Sequence, residues 1–240
     1  MQISSKDLEA LSGKIFTSSY RFAPQLDTTD HQYLTRTSLL TELCTGKDIV
    51  HLGCVDHNIE MIEKKRSKGK WLHQDLVDCA NKCLGIDLNQ EGLTHIAKQY
   101  GIEDLVCSNI IENDCPEILA QNWDYFLIPE VLEHQDNPTW FLSEIRQKYQ
   151  AKVGKFVITV PNAFDLGQRK PLAGNQEAIN SDHRFWFSPY TLSKVLYQAG
   201  FRDITLRLSR NGIIKKRAIL KNYILKKRPF LRNNIIAIAS

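Results

Sequence analysis

From residue 48 to residue 160 the chain repeats one local pattern. A short apolar run closes on a glycine or a polar residue, and a segment whose apolar positions recur at helical spacing follows it. This rhythm leaves few foldings open. Strands buried on both faces need helices on both sides, and each strand–helix–strand crossover returns the chain parallel to itself. Residues 48 to 54, DIVHLGC, read as a first strand that breaks into a turn at Gly53. The polar stretch 58 to 70 reads as an insertion, after which Leu72, Leu76, Cys79, Ala80 and Cys83 mark a helix. Residues 84 to 88 read as the second strand, and Leu93, Ile96, Ala97 and Tyr100 form the apolar face of a helix that Gly101 terminates.

The same reading continues with a third strand at 104 to 110, a short helix at 116 to 120, a fourth strand at 123 to 128 and a fifth at 155 to 160. Asn137-Pro138 and Ser188-Pro189 each place a capping side chain before a proline whose fixed φ suits the first helical turn. Near the end Ile204, Leu206 and Leu208 alternate, and residues 235 to 239 form a last apolar run, so these two strands are expected to pair antiparallel. The expected fold is a doubly wound α/β domain over residues 48–240, its sheet mostly parallel with one antiparallel strand near the C-terminus. Residues 1–47 are expected to be a helical lead-in that packs on the sheet through Leu34, Leu39, Leu40 and Leu43.

At 240 residues, 42% hydrophobic and 24% charged, the chain suits a single globular domain. It has no leader-like apolar start and no run near the ~18 apolar residues of a spanning helix, so a cytoplasmic protein is expected. The six cysteines, Cys44, Cys54, Cys79, Cys83, Cys107 and Cys115, lie mostly in apolar runs, and no disulfide framework is expected. His51, Cys54, His57 and His73 share a half of the chain with Cys79 and Cys83, yet no ligand-pair spacing supports zinc, and no metal is expected.

Net charge is +4, but no acidic residue follows Asp203, whereas Arg207, Arg210, Lys215, Lys216, Arg217, Lys221, Lys226, Lys227, Arg228 and Arg232 do. This segment is either a solvated edge or a surface for an anionic partner: phosphate, an acidic glycan or a lipid headgroup. Tyr223 and Phe230 are too few to form a base-stacking platform, which disfavours nucleic acid.

Ligands in such a sheet bind beyond the carboxyl ends of the strands, where the strand order reverses. Gly53, Cys54, Val55, Asp56 and His57 follow strand one, Asp87 and Leu88 end strand two, Asn109 and Ile110 follow strand three, and Glu130, Glu133 and His134 follow strand four. A carboxylate ending the second strand can accept both hydroxyls of a ribose, although Asp87 standing alone would equally suit a helix N-cap.

Three stretches, taken in order, resemble class I S-adenosylmethionine-dependent methyltransferases, whose fold is Rossmann-like. The first is WDYFLIPEVLEHQDNPTWF from Trp123, the second GKFVITVPNAF from Gly154, the third DHRFWFSPYTLSKVLYQAGF from Asp182. HLGCVDH from His51 is similar to a subgroup found in bacterial surface-polysaccharide gene clusters. The resemblance implies S-adenosylmethionine as cofactor. Gly53, Cys54 and Val55 would be at its methionine part, Asp87 and Leu88 at its ribose, Asn109 and Ile110 at its adenine, and Glu130 beneath the sulfonium. It implies O-methylation of a sugar or glycan precursor, with His134 and His183 as candidate bases and Asn162, Arg184 and Trp186 as acceptor contacts. Val55 departs from the family pattern where a second glycine normally stands, and Asn109 where an aspartate often does.

Other readings stay open: a methyltransferase of another small molecule or a lipid-like acceptor, a non-catalytic binding module of the same fold, and a nicotinamide-dependent sugar dehydrogenase. The last lacks its glycine-rich turn, and its tyrosine and lysine would have to be Tyr223 and Lys227 in the basic segment.

Overall fold

The structure is a computed structural model that describes residues 1–26, 30, 32–212 and 214–240. Its sheet has seven strands: β1 (Asp48–Leu52), β2 (Lys82–Asp87), β3 (Leu105–Cys107), β4 (Trp123–Pro129), β5 (Val153–Pro161), β6 (Ile204–Ser209) and β7 (Asn234–Ala239). Their order is β3-β2-β1-β4-β5-β7-β6, and the helices include the short α1 (Ser5–Ser12), α6 (Pro116–Leu119) and α8 (Arg169–Ala173). Strands β1 to β5 pair in parallel, and β7 pairs antiparallel with both β5 and β6, so β7 alone opposes the rest. This is the expected doubly wound sheet with a single antiparallel strand.

Strand residues alternate between two apolar layers, as the pleat requires. Val50, Leu52, Ile86, Phe126 and Ile128 face the layer completed by Phe141 and Leu142 of α7 (Pro138–Tyr149) and by Leu192 and Leu196 of α9 (Pro189–Gln198). Ile49, Cys83, Leu127, Val157 and Ile236 face the other layer, where Leu40 and Cys44 of α2 (Arg36–Cys44) meet Leu76 of α4 (Leu72–Cys79). Leu39 and Leu43 pack at the margin of the same layer, while the Leu34 carbonyl accepts from the Arg210 N–H (2.9 Å). The caps form as expected: Asn137 Oδ1 accepts from Trp140 N (3.1 Å) and Ser188 Oγ from Thr191 N (3.1 Å).

Three expectations are corrected. The stretch 58 to 70 holds a helix, α3 (Ile59–Arg66), which buries Ile62 and is otherwise rich in charge, so its apolar periodicity is weak. Its signal was the cap: Asn58 Oδ1 accepts from Met61 N at 2.9 Å. Ala80 and Cys83 leave the preceding helix, for Ala80 caps α4 and Cys83 belongs to β2. The third strand covers three residues, because its edge position pairs it with β2 alone. The basic segment, read from the sequence for its charge alone, carries a helix, α10 (Ile219–Lys227).

Phe126 lies at the centre of β4, fully buried and stacked on Tyr149 and Phe156 with ring centroids 6.0 and 5.6 Å away. Phe126→Ala is expected to lower unfolding free energy by about 3–5 kcal/mol, read from urea titration, through lost transfer energy and the cavity left behind.

Candidate active site

Strand order reverses between β1 and β4, and a cleft of about 730 Å³ opens beyond their carboxyl ends. Gly53 makes the turn at φ +77°, a conformation that favours glycine, and a Cβ there would come within 2.9 Å of Val131 Cγ2. Past this turn, the Val55 N–H donates to Asp87 Oδ2 (2.8 Å) and the Asn89 N–H to Oδ1 (3.0 Å). Burial pushes the Asp87 carboxyl up from its ordinary pKa, and these backbone donors oppose the rise by favouring the anion. Each carboxylate oxygen keeps a lone pair for a ligand.

Asp87 and the exposed Leu88 stand between two spaces. The large cleft is polar, with Arg36, Glu130, His134 and His183 on its walls. A second, mostly apolar space of about 380 Å³ is lined by Leu52, Asn109, Ile110, Trp140 and Phe141. Asn109 Oδ1 accepts from Ile111 N (3.2 Å), which shapes the turn, and the Ile110 carbonyl accepts from Lys148 Nζ (3.2 Å). Cys54 is buried at the wall of the large cleft, its thiol pushed well up by burial and by the nearby Asp87.

Val55, where the sequence pattern lacks its usual glycine, turns its side chain toward α5 (Gln90–Tyr100). There it faces Gly92, where a Cβ would lie 2.4 Å from Val55 Cγ1. The glycine that makes room is on the helix instead of the loop.

Beyond β4, Glu130 takes φ +55°, an uncommon conformation for a side-chain-bearing residue. Its Oε1 accepts from Thr159 Oγ1 (3.0 Å) and Asn234 Nδ2 (2.8 Å) and pairs with Arg36 Nη1 (3.2 Å). Glu133, three residues on, is fully buried, and neither carboxylate oxygen has a hydrogen-bond partner among the described residues. Burial holds its carboxyl well above the ordinary range, and the neighbouring Glu130 adds to the rise. His183 Nε2 lies 3.9 Å from Glu133 Oε1, and the His134 ring stands edge-on to the His183 ring with centroids 4.8 Å apart. His134 Nδ1 is 3.1 Å from the Asp182 carbonyl, to which it can only donate, so Nε2 bears the lone pair when the ring is neutral. Burial, with His134 nearby, lowers the pKa of His183. Glu133, His134 and His183 each offer one donor atom, all within 4.8 Å of one another, and among the described residues this is the cluster that could hold a metal ion.

Both histidines named from the sequence therefore meet at the cleft, but the proposed acceptor contacts do not line it. Asn162 is buried with its amide engaged: Nδ2 donates to the carbonyls of Phe230 (2.9 Å) and Arg232 (2.6 Å), and Oδ1 accepts from Phe164 N (3.1 Å). It anchors the β5 end. Arg184 pairs with Asp136 and donates to the His134 carbonyl, which fixes the loop carrying His183. Trp186 donates to Glu177 and turns its ring edge to His183. Tyr223 and Lys227 are exposed on α10 and line neither cavity.

The sequence reading missed Arg36, which reaches the cleft from α2, and a buried imidazole pair, His51 and His73, whose Nδ1 atoms lie 3.0 Å apart. Burial holds both pKa values down, His73 to about 4, so they form a neutral donor–acceptor pair. Cys83 Sγ lies 3.9 Å from His73 Nδ1, so part of the histidine and cysteine set weighed for zinc does converge.

No protein-family model matches the chain, and no curated protein matches it. Among solved structures it is similar to the small RNA methyltransferase HEN1, at 16% identity and TM-score 0.59, over 92% of this chain and 26% of that one. It is also similar to a chain of the Haloferax volcanii complex between the Trm112 methyltransferase activator and a methyltransferase, at 14% identity and TM-score 0.54, over 85% and 88%. A SAM-dependent methyltransferase from Thermotoga maritima matches at 10% identity and TM-score 0.52, over 88% and 91%. At such identities the likeness is one of fold: the chain has a Rossmann-like, class I methyltransferase fold.

Gly92→Ala is expected to force Val55 aside and destabilise the protein by about 1–3 kcal/mol. Adding Val55→Ala should restore most of the loss in thermal unfolding. A double variant no more stable than the single one would show that the two residues are not in contact.

Proposed function

We propose that the chain is an S-adenosylmethionine-dependent methyltransferase acting on a hydroxyl, with a sugar or glycan precursor of surface-polysaccharide biosynthesis as acceptor. The observation that carries this reading is the half-buried Asp87 carboxylate, held by backbone N–H groups on the divide between an apolar and a polar space. The apolar space beside Asn109, Ile110 and Phe141 suits adenine, Asp87 suits the ribose hydroxyls, and the turn at Gly53, Cys54 and Val55 suits the methionine part. Glu130 suits the sulfonium side through its negative charge. The glycan acceptor rests on the resemblance of the HLGCVDH segment.

S-adenosylmethionine supplies a methyl group already activated by positive sulfur, so the chain's own task is alignment and proton removal. As the acceptor oxygen takes the methyl group, its proton passes to an imidazole. His183 suits this role because its depressed pKa keeps it neutral. His134, whose neutral ring carries its lone pair on Nε2, is the alternative. Arg184 positions the loop that brings the two rings together.

The Glu133 carboxylate, without a hydrogen-bond partner among the described residues, favours a second account of proton removal. A carboxylate and two imidazoles form a donor set for a divalent cation. Glu133, His134 and His183 would hold the ion, and the chemistry it would supply is Lewis-acid activation of a hydroxyl for proton loss. Since burial keeps Glu133 protonated above the ordinary carboxylate range, uptake of the ion releases a proton and strengthens as pH rises.

Calorimetric titration tests the cofactor. S-adenosylmethionine is expected to bind and NAD not to, and Asp87→Asn and Asp87→Ala should each weaken binding roughly ten- to hundredfold, the range of hydrogen bonds to a charged group. NAD binding alone would instead support the dehydrogenase, and binding of neither the non-catalytic module.

Single-turnover methyl transfer separates the two accounts of proton removal. If His183 acts alone, His183→Ala slows transfer by roughly a hundredfold or more, the protein treated with chelator is as fast as before, and the acid limb of the rate lies below the ordinary histidine value of 6.5. If an ion is held, chelation removes the activity, Mg²⁺ or Mn²⁺ restores it, and Glu133→Gln abolishes the thermal stabilisation that Mn²⁺ gives. Full rates in both His134→Ala and His183→Ala would remove both accounts.

A further inference from the structure

We propose that the segment 214 to 228, centred on α10, docks the protein on an anionic lipid surface. The observations are the placement of charge and of exposed apolar side chains, and they stand apart from the cofactor reading.

Helix α10 is held to the body by its inner side. Leu225 is buried, and Arg232, itself 2% exposed, donates to the carbonyls of Leu225 (2.9 Å), Leu208 (2.6 Å) and Asp30 (2.8 Å). Arg232 therefore belongs to the anchor and leaves the surface set expected from the sequence. On the outer side Ile219, Leu220 and Tyr223 are 77%, 72% and 62% exposed. At roughly 100° per residue these three fall within a stripe of about 100°, and Lys226 and Lys227 flank the same stripe one turn on.

Lys215, Lys216 and Arg217 precede the helix and Arg228 follows it, all exposed. None of these six cations enters an ion pair among the described residues, and no acidic side chain occurs after Asp203.

A polyanion groove would need the cations alone. Cations around a protruding apolar stripe match the two layers of a membrane interface, where apolar side chains enter the acyl boundary and lysines reach back to headgroup phosphates. That combination favours lipid over nucleic acid, free phosphate or an acidic glycan. The segment also lies at the cleft end of the sheet, because Asn211, at the start of the same β6–β7 connection, lines the large cleft. Docking here brings the cleft to the lipid surface, where a lipid-linked acceptor would be.

Vesicle co-sedimentation tests this with the full chain. Binding to phosphatidylcholine/phosphatidylglycerol vesicles is expected to exceed binding to phosphatidylcholine alone by at least tenfold and to weaken with salt. The double variant Ile219→Ser/Leu220→Ser should lose at least tenfold on the anionic vesicles, with an unchanged circular-dichroism melting curve. The double variant Lys226→Glu/Lys227→Glu should lose a similar factor. A wild-type protein that stays in the supernatant with anionic vesicles overturns the proposal. So does binding that the serine pair leaves unchanged, and tighter retention on single-stranded RNA or heparin that ignores the serine pair would make the segment a polyanion site instead.

Discussion

The Val55 N–H meets the Asp87 carboxylate across 2.8 Å and so joins the loop leaving β1 to the end of β2. Parallel pairing brings those two ends side by side, in the register Leu52 to Ile86, and the Gly53 N–H extends it by donating to the Ile86 carbonyl at 2.8 Å. A half-buried carboxylate would ordinarily drift toward its neutral form, and aligned backbone dipoles counter that drift without introducing a positive side chain. Because both oxygens are oriented this way, the carboxylate stays on the ridge between the two spaces. While the Val55 amide makes this bond, its side chain turns toward α5, and the absent Cβ at Gly92 is what gives it room.

Much of this geometry was legible in the chain. Short apolar runs bounded by Gly53 and Asp87 fixed the ends of two central strands, and proline after an asparagine or serine located the starts of α7 and α9. Those signals are local, arising from residues within one turn of each other. Arg36 was not legible, since its guanidinium reaches Glu130 across 94 positions of sequence, from a helix read only as packing. The destination of Asn162 was hidden for the same reason: its amide is satisfied by carbonyls at Phe230 and Arg232, supplied by a connection that sequence periodicity does not describe. Glu133 carried a signal in its three-residue spacing from Glu130, but spacing cannot tell that one carboxylate has three polar partners and the other, among the described residues, no hydrogen bond.

Those two glutamates show how far the site departs from what stability alone would select. Glu130 occupies a left-handed backbone conformation that costs on the order of 1–3 kcal/mol, and Glu133 lies in a dry place where its charged form is disfavoured. Neither would persist without surrounding structure that over-determines it. The β4 backbone supplies that structure: Phe126, Leu127 and Ile128 are fully buried, and the Glu130 N–H continues the ladder to the Thr159 carbonyl at 2.9 Å. Strain and burial are thus concentrated where β4 leaves the sheet, at the switch point where a ligand has the most room.

The antiparallel hairpin at the end of the chain connects this centre to the outer surface. Asn234, the first residue of β7, donates to Glu130, while Asn162 at the end of β5 holds the carbonyls just before it. Arg232 lies between these contacts and grips the turn from which α10 projects. Its guanidinium is buried, and burial lowers its pKa to about 10. Desolvating a guanidinium is costly unless its donors are met, and here four carbonyl oxygens meet them. The last cation of the basic segment is therefore turned inward to brace the site, which leaves the remaining cations and the apolar stripe of α10 directed outward.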